Sequence, residues 1–166
     1  GERGMWFKQC FWEWSARVPL VISDGRAAKN IRIDANSSLV DLLPTFIDFG
    51  GRDTALLRPA IGELAGHSLM PLLTGDASTA AEYVIADYLA IGPCVPCRMV
   101  KKGPYKYIFT HGHPDLLFAL EADPDERVNL AEDASNAPIL AALRKIGMDG
   151  YDPDMLMTKI VASQRR

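Results

Sequence analysis

The sequence predicts an α/β fold that ends in a small antiparallel sheet packed with helices. Three observations carry this prediction: an amphipathic helix pattern at residues 41–49, two β-rich runs around a Gly-Pro break at 102–104, and two helix patterns at the end of the chain. The hydrophobic period changes after Gly75. We therefore expect residues 1–75 to form the end of an α/β domain and residues 76–166 to form a C-terminal α+β subdomain.

The first half of the chain predicts a strand, a helix and a helical turn. The apolar run at 17–22 is rich in β-branched residues, which favours a strand, and a second short strand is expected at 31–33. Asp41 is a suitable N-cap for a helix that ends at Gly50-Gly51. A single turn at 68–73 is expected to pack on the core. The predicted buried face of the helix consists of Leu42, Leu43, Phe46, Ile47 and Phe49.

The second half predicts a small sheet followed by two helices. The strands are expected at 82–89, 97–101, 105–110 and 116–121. The first helix is expected from Pro138 to Ile146, with Asn136 as its cap and Gly147 as its stop. The second helix is expected to start at Pro153 behind the cap Asp152.

Composition excludes several classes of protein. The chain has 166 residues, a net charge of -3 and 48% hydrophobic residues, which is typical of one globular domain. The slight acidity predicts no general attraction to nucleic acid or to anionic lipid, and no apolar run reaches the ~20 residues of a membrane span. Three cysteines are too few for a disulfide scaffold, so we expect a reducing, cytoplasmic compartment.

The ends of the chain predict a fragment of a longer protein. The sequence starts at Gly1 without an initiator Met, and it stops at Arg165-Arg166 inside a predicted helix. A protein cut at this point would expose a surface that its missing part covers.

The string Cys94-Val95-Pro96-Cys97-Arg98 contains the Cys-x-Pro-x-Arg signal for oxidation of a cysteine to formylglycine. Such a nucleophile should open a helix, where backbone N–H groups favour an anion. A strand follows here instead, and the remaining Cys and His residues show no zinc spacing. We therefore predict that Cys94 and Cys97 are free cysteines that function as small hydrophobic residues at a strand entry.

Two other clusters favour an ordinary structural interpretation. His111 and His113 lie on a predicted turn between strands, where histidines are more often solvated, and nothing in the sequence completes a metal site around them. Lys101, Lys102 and Lys106 surround a predicted hairpin tip, where lysines are typical of a solvated sheet edge.

Lys8 is the strongest candidate for chemistry. It lies among Trp6, Phe7, Phe11 and Trp12. If these rings fold over the ammonium group, the exclusion of water would make it a strong anion-binding group. An exposed lysine between core aromatic residues is the alternative, and composition alone leaves both open.

Several stretches of the chain, taken in order, resemble the sulfatase family and its choline-sulfatase branch. The most specific are GERGMWFK at 1–8, EWSARVPL at 13–20, GHSLMPLL at 66–73 and GPYKYI at 103–108. Further matches lie at 40–45, 120–131 and 161–166.

The resemblance implies the C-terminal part of a sulfate-ester hydrolase with an alkaline-phosphatase-like fold, in which residues 1–75 would be the end of the catalytic α/β domain. In this family a hydrated formylglycine attacks sulfur while a divalent cation, usually calcium, withdraws charge from the sulfate oxygens. The position of Lys8 matches a sulfate-binding lysine. The nucleophile and the metal ligands would all lie before Gly1, so this chain alone is expected to bind no cofactor and to be inactive.

The resemblance also bears on the substrate, a small-molecule sulfate ester. Choline-sulfatase-like enzymes hold a quaternary ammonium group with aromatic faces and a carboxylate. Asp87 lies where the family typically has a glutamate, so it is a candidate carboxylate, and Trp6 is a candidate aromatic contact. A plain carboxylate at a strand end is the alternative for Asp87.

Two other functions stay open from the sequence. One is a phosphonate or phosphodiester hydrolase of the same superfamily. The other is a non-catalytic interaction module in which the helix at 152–166 contacts a neighbouring subunit. In either case we expect the chain to pair with its missing N-terminal part or to form a homo-oligomer.

Overall fold

The computed structural model describes residues 2–4, 6, 8–25, 30–53, 62–89 and 94–164. These residues form two compact units, one made of residues 1–19 with 85–166 and the other of residues 20–84. The predicted boundary at Gly75 does not coincide with this partition, because the first 19 residues pack with the C-terminal part. The assignment of 1–75 to a catalytic domain stays a prediction.

The helices and strands follow the order expected from the sequence. The helices are α1 (Glu13–Ala16), α2 (Leu42–Phe49), α3 (Met70–Leu73), α4 (Ala137–Met148) and α5 (Pro153–Gln164). The strands are β1 (Tyr83–Tyr88), β2 (Cys97–Lys102), β3 (Tyr105–Thr110) and β4 (Leu116–Ala119). Single 3-10 turns lie at Glu2–Gly4, Leu39–Asp41, Ala77–Thr79 and Ala134–Asn136.

The predicted antiparallel sheet is confirmed. It has the strand order β1-β2-β3-β4. Strands β2 and β3 form a hairpin with Lys102 opposite Tyr105, and Gly103 occupies the left-handed region at the turn. Strand β4 then pairs antiparallel with β3, with Lys106 opposite Phe118.

The sheet has two packed faces, because side chains alternate along each strand. One face, called the helix face here, buries Val100, Tyr107 and Leu117, and helix α4 and Tyr151 pack against it. The other face, called the loop face, buries Met99, Ile108 and Phe118, and Phe11 and Trp12 of the N-terminal segment pack against it.

In the unit of residues 20–84, side-chain hydrogen bonds connect the start of α2 to its neighbours. The Asp41 carboxylate accepts hydrogen bonds from the Ser38 and His67 N–H groups, at 2.7 and 2.9 Å. The Thr45 hydroxyl accepts one from the Leu69 N–H, at 2.9 Å. Asp41 stands at the predicted N-cap position of α2, but its carboxylate closes a capping box with Ser38 in the 3-10 turn that precedes the helix.

The predicted buried face of α2 is wrong for three of its five residues, while Leu42 and Ile47 are half-buried. Leu43, Phe46 and Phe49 are exposed in this chain, whereas Pro44 and Thr45 are buried. A helical stripe of apolar residues predicts that the helix has an apolar neighbour, but not that this neighbour lies in the same stretch of chain. The predicted end of α2 is confirmed, since Gly50 caps it and Gly51 is left-handed.

Two predicted strands and one predicted helix end are also wrong. Residues 17–22 and 31–33, all described, form no strand, because β-branched content needs a partner strand before it can form a ladder. Helix α4 continues past Gly147 to Met148, and Gly147 is buried against Val100. The missing side chain of Gly147 serves close packing here, while Gly150 takes the left-handed turn.

The helical turn at 68–73 and the cap of α5 are confirmed. Helix α3 buries Met70, Leu72 and Leu73. Asp152 accepts a hydrogen bond from the Met155 N–H at 2.9 Å, as an N-cap should. Within the described ranges, none of the helices combines the length and the apolar character that a bilayer crossing requires.

Candidate functional site

The candidate site is built on a loop of the N-terminal segment, residues 3–13, which we call the Lys8 loop. Its first end is fixed by Arg3, whose Nη2 donates to the backbone oxygens of Asp125 and Glu126. The Arg3 guanidinium also lies over the Trp12 ring, with Cζ 3.8 Å from the ring centroid. Arg3 thus contacts both the end of the loop, at Trp12, and the turn that follows β4, at Asp125 and Glu126.

The second end of the loop is fixed by a buried lysine. The Lys106 Nζ donates to the Phe11 backbone oxygen and to Glu126 Oε1, each at 2.8 Å. It also lies 2.5 Å from Glu13 Oε1. The Glu13 N–H in turn donates to Glu126 Oε2 at 2.7 Å. Backbone and side chain of residues 11–13 are therefore held by one lysine and one glutamate.

This group of charges is buried but paired. Lys106 is 1% exposed and Glu126 is 2% exposed. A buried charge without a partner is strongly unfavourable, whereas each charge here has an opposite charge and directional hydrogen bonds. Glu126 also has a left-handed backbone, with φ of 54°. A residue with a Cβ holds that conformation only where its surroundings fix it.

The solvated hairpin edge predicted for Lys106 is wrong. Both faces of the sheet are covered, so no position in the middle of β3 faces water. Lys106 alternates with Tyr105 and Tyr107 and shares the loop face with Ile108. A lysine inside a strand that is apolar on both faces was the signal in the sequence that could have revealed its burial.

The predicted sulfate-binding residue lies between the two fixed ends of the loop. Lys8 is exposed, and so is Trp6, at 84%. Of the two alternatives left open for Lys8, the covered and the exposed lysine, the described residues form the exposed one, because Phe11 and Trp12 pack on the sheet and not over the ammonium group. Phe7, another ring that was expected to cover Lys8, lies outside the described residues.

The other predicted substrate contact lies on the opposite face of the sheet. Asp87 binds Arg98 through two hydrogen bonds, Nε to Oδ1 at 2.6 Å and Nη2 to Oδ2 at 2.8 Å. Arg98 also donates to the Gly147 backbone oxygen and lies over the Tyr151 ring, so the pair belongs to the helix face. The structure does not bring Asp87 to the Lys8 loop, and its role toward an ammonium group stays a prediction.

Cys94 and Cys97 lie in different environments. Cys97 is buried at the start of β2, and burial raises the pKa of its thiol, which disfavours the nucleophilic thiolate. It fits the predicted role of a small core residue, whereas Cys94 is exposed and does not. Among the residues that the structure describes, no three His, Cys, Asp or Glu side chains group as metal ligands.

The histidine turn is only partly solvated. His113 is exposed, as predicted, but the half-buried His111 places Nε2 3.3 Å from Asp154 Oδ1 on α5. This contact connects the turn after β3 to the last helix.

Comparisons with known proteins agree on one family. Residues 1–148 match the family model described as "N-sulphoglucosamine sulphohydrolase, C-terminal". The choline-sulfatase of Rhizobium meliloti (strain 1021) is 36% identical over 170 residues, which cover 100% of this chain and 32% of the relative. Arylsulfatase K of Gallus gallus is 31% identical over 141 residues, which cover 78% of this chain and 25% of the relative.

A solved structure supports the same conclusion on the fold. The structure of a 2-O GAG sulfatase superposes with a TM-score of 0.56 and is 35% identical, covering 75% of this chain and 25% of that one. The chain thus spans about a third or less of the length of the relatives that it matches.

Proposed function

We propose that this chain, which belongs to the sulfatase family, supplies the sulfate-binding Lys8 and the C-terminal sheet of an enzyme that hydrolyses small sulfate esters. The observation that carries the proposal is the combination of the match over residues 1–148 with an exposed Lys8 on a loop fixed at both ends. A choline O-sulfate-like ester is the proposed substrate, because the chain is similar to a choline-sulfatase over its whole length.

The chemistry that Lys8 can provide is anion binding. The ammonium group offers three N–H donors and a full positive charge, and a sulfate ester presents non-bridging oxygens that gain negative charge as the S–O bond breaks. Because Lys8 is exposed in this chain, the exclusion of water that strengthens its attraction must come from a surface outside the described residues.

The remaining chemistry is assigned to residues outside this chain. A formylglycine nucleophile and a divalent cation would supply the attack on sulfur and part of the charge withdrawal. Among the described residues, no three His, Cys, Asp or Glu side chains group in a way that would hold such a cation. The isolated chain of 166 residues is accordingly expected to show no turnover.

The test of Lys8 uses the intact enzyme that contains these residues. Lys8→Ala should lower kcat/KM by ~100- to 1000-fold, as the loss of one donor to a developing oxyanion does in other hydrolases. Lys159→Ala, which removes another exposed lysine on α5, is the matched control and should leave kcat/KM unchanged. A Lys8→Ala enzyme with the kcat/KM of the unmodified enzyme would contradict the proposal.

The test of the substrate class compares esters that differ in one property. Choline O-sulfate and 3,3-dimethylbutyl sulfate have the same shape, but the second has an uncharged tert-butyl group in place of the trimethylammonium group. A higher kcat/KM for the choline ester would therefore identify ammonium recognition. Faster turnover of a phosphonate or phosphate ester would favour the phosphonate or phosphodiester hydrolase instead.

Asp87→Asn should reduce the preference for choline O-sulfate if Asp87 contacts the ammonium group, and should leave it unchanged if Asp87 only binds Arg98.

A further inference from the structure

The part of the site that neither the family match nor the proposed role of Lys8 explains is the buried charge cluster beneath the loop. A lysine that only filled space on the loop face could be replaced by an apolar side chain of similar length, without two carboxylates to compensate its charge. Lys106 instead contacts Glu126, Glu13 and the Phe11 backbone oxygen at the same time. These contacts are directional, and all of them end at the base of one loop.

The contacts define the position of the loop more closely than apolar packing would. Phe11 is held through its carbonyl oxygen and its ring, and Glu13 is held through its N–H and its carboxylate. Lys8 precedes Phe11 by three residues, and Gln9 between them has a left-handed backbone, with φ of 63°. A bound backbone on one side and a constrained backbone residue within the interval leave the Lys8 Cα little freedom to move.

The other end of the loop meets the same turn. Arg3 donates to the carbonyl oxygens of Asp125 and Glu126, while the side chain of Glu126 binds Lys106 and Glu13. Glu126 therefore contacts both ends of the Lys8 loop, by its backbone oxygen at one end and by its carboxylate at the other.

We propose that Lys106 and Glu126, together with Arg3, are positioning residues for Lys8. Their contacts close the base of the Lys8 loop and determine where the Lys8 ammonium group meets the sulfate of the substrate. This inference rests on the proposed role of Lys8. A displacement of about 1 Å at a reacting group can cost ~100-fold in rate, so a residue that never touches substrate can affect turnover strongly.

The test measures coupling between the base of the loop and Lys8 in the intact enzyme. Lys106→Met keeps the aliphatic stem and removes the charge, and Lys145→Met, which changes an exposed lysine on α4, is its matched control. We expect Lys106→Met to lower kcat/KM by ~10- to 100-fold. In a Lys8→Ala background the same substitution should lower kcat/KM by less than about threefold, because the group that it positions is already absent.

Arg3→Ala provides a second variant at the surface, where the fold tolerates change better than at the buried lysine. Its control is Arg127→Ala. This substitution removes an exposed arginine on the turn that Arg3 contacts, where Arg127 forms an ion pair with Asp125. We expect Arg3→Ala to lower kcat/KM in the Lys8 enzyme and to have little further effect in the Lys8→Ala enzyme.

The outcomes separate this inference from the function on which it rests. Equal losses in the Lys8 and Lys8→Ala backgrounds would mean that the cluster is only structural, and they would overturn the inference alone. Unchanged kcat/KM in Arg3→Ala and in folded Lys106→Met, with a large loss in Lys8→Ala, would do the same. If Lys8→Ala itself has no effect, the proposed function fails first.

Discussion

The two faces of the sheet are packed by different physical means. On the helix face, α4 and Tyr151 cover Val100, Tyr107 and Leu117 by apolar contact. On the loop face, the N-terminal segment is held partly by Phe11 and Trp12 and partly by the charges of Lys106 and Glu126. Apolar contact depends on area and has no preferred direction, whereas a charged hydrogen bond fixes both distance and angle.

The difference indicates what each covering element must do. Helix α4 has only to stay in place, so burial of apolar area is sufficient. The N-terminal segment carries Lys8, and a binding group must be held at a defined position to be effective. Since burial of an ion pair contributes little net stability compared with apolar side chains of the same size, the charges on the loop face are better explained by position than by stability.

The largest expected effect comes from breaking the charge pair on the loop face. Glu126→Leu would leave Lys106 buried beside Glu13 alone, and loss of one partner of a buried pair typically costs ~3–5 kcal/mol of unfolding free energy. Urea denaturation of the intact enzyme would measure it. The double variant Lys106→Met/Glu126→Leu should recover most of the loss. A Glu126→Leu enzyme as stable as the original would show that the two faces do not differ in this way.

A somewhat smaller effect is expected from the helix face. Leu143 of α4 is 2% exposed within the apolar cluster, so Leu143→Ala should cost about 3 kcal/mol through lost burial and the cavity that remains. Because this face does not hold the Lys8 loop, kcat/KM at a temperature where the enzyme stays folded should not change. A fall in kcat/KM comparable to that of Lys106→Met would remove the functional distinction between the faces.

The sheet and its helices could be predicted from the sequence because their signals are local. The Gly-Pro break at 103–104 and the cap at Asp152 each determine backbone geometry within a few residues. The run at 17–22 and the apolar face of α2 were predicted wrongly, because a strand and an apolar helix face both depend on partners distant in sequence.

The candidate site was predictable only in part, for the same reason. Lys8 was identified from the residues around it and from the family resemblance. Lys106 and Glu126 were missed, because they are 20 residues apart and meet Glu13 only after the sheet has formed. The sequence places a lysine in a strand, but only the covering of both faces shows that it is buried.

A smaller effect, in which two contributions oppose each other, is expected at Gly147 on the helix face. A Cβ added there would lie 3.0 Å from Val100 Cγ2 and 3.4 Å from Tyr107 Cε1. Alanine is the better helix former by ~1 kcal/mol, but overpacking of a full core typically costs ~1–3 kcal/mol. Val100 and Tyr107 are both fully buried and have little room to shift. Gly147→Ala should therefore destabilise by about 1 kcal/mol in urea denaturation, and a gain in stability would mean that the helix face is loosely packed.

The smallest expected effect is a pH dependence on the loop face. Burial raises the pKa of the Cys97 thiol in the folded chain. The folded state therefore keeps the thiol proton at a pH where the unfolded chain, with a pKa of about 8.5, begins to lose it. Stability from this group is complete below the unfolded pKa and declines as pH rises through the folded pKa.

In urea denaturation at about pH 7 and about pH 9.5, Cys97→Ala should lose less stability with rising pH than the original enzyme does. Cys94→Ala, at an exposed thiol, is the control and should follow the original enzyme. If Cys97→Ala and the original enzyme lose stability equally, the thiol is hydrated and the loop face is less tightly closed than the burial of Lys106 implies.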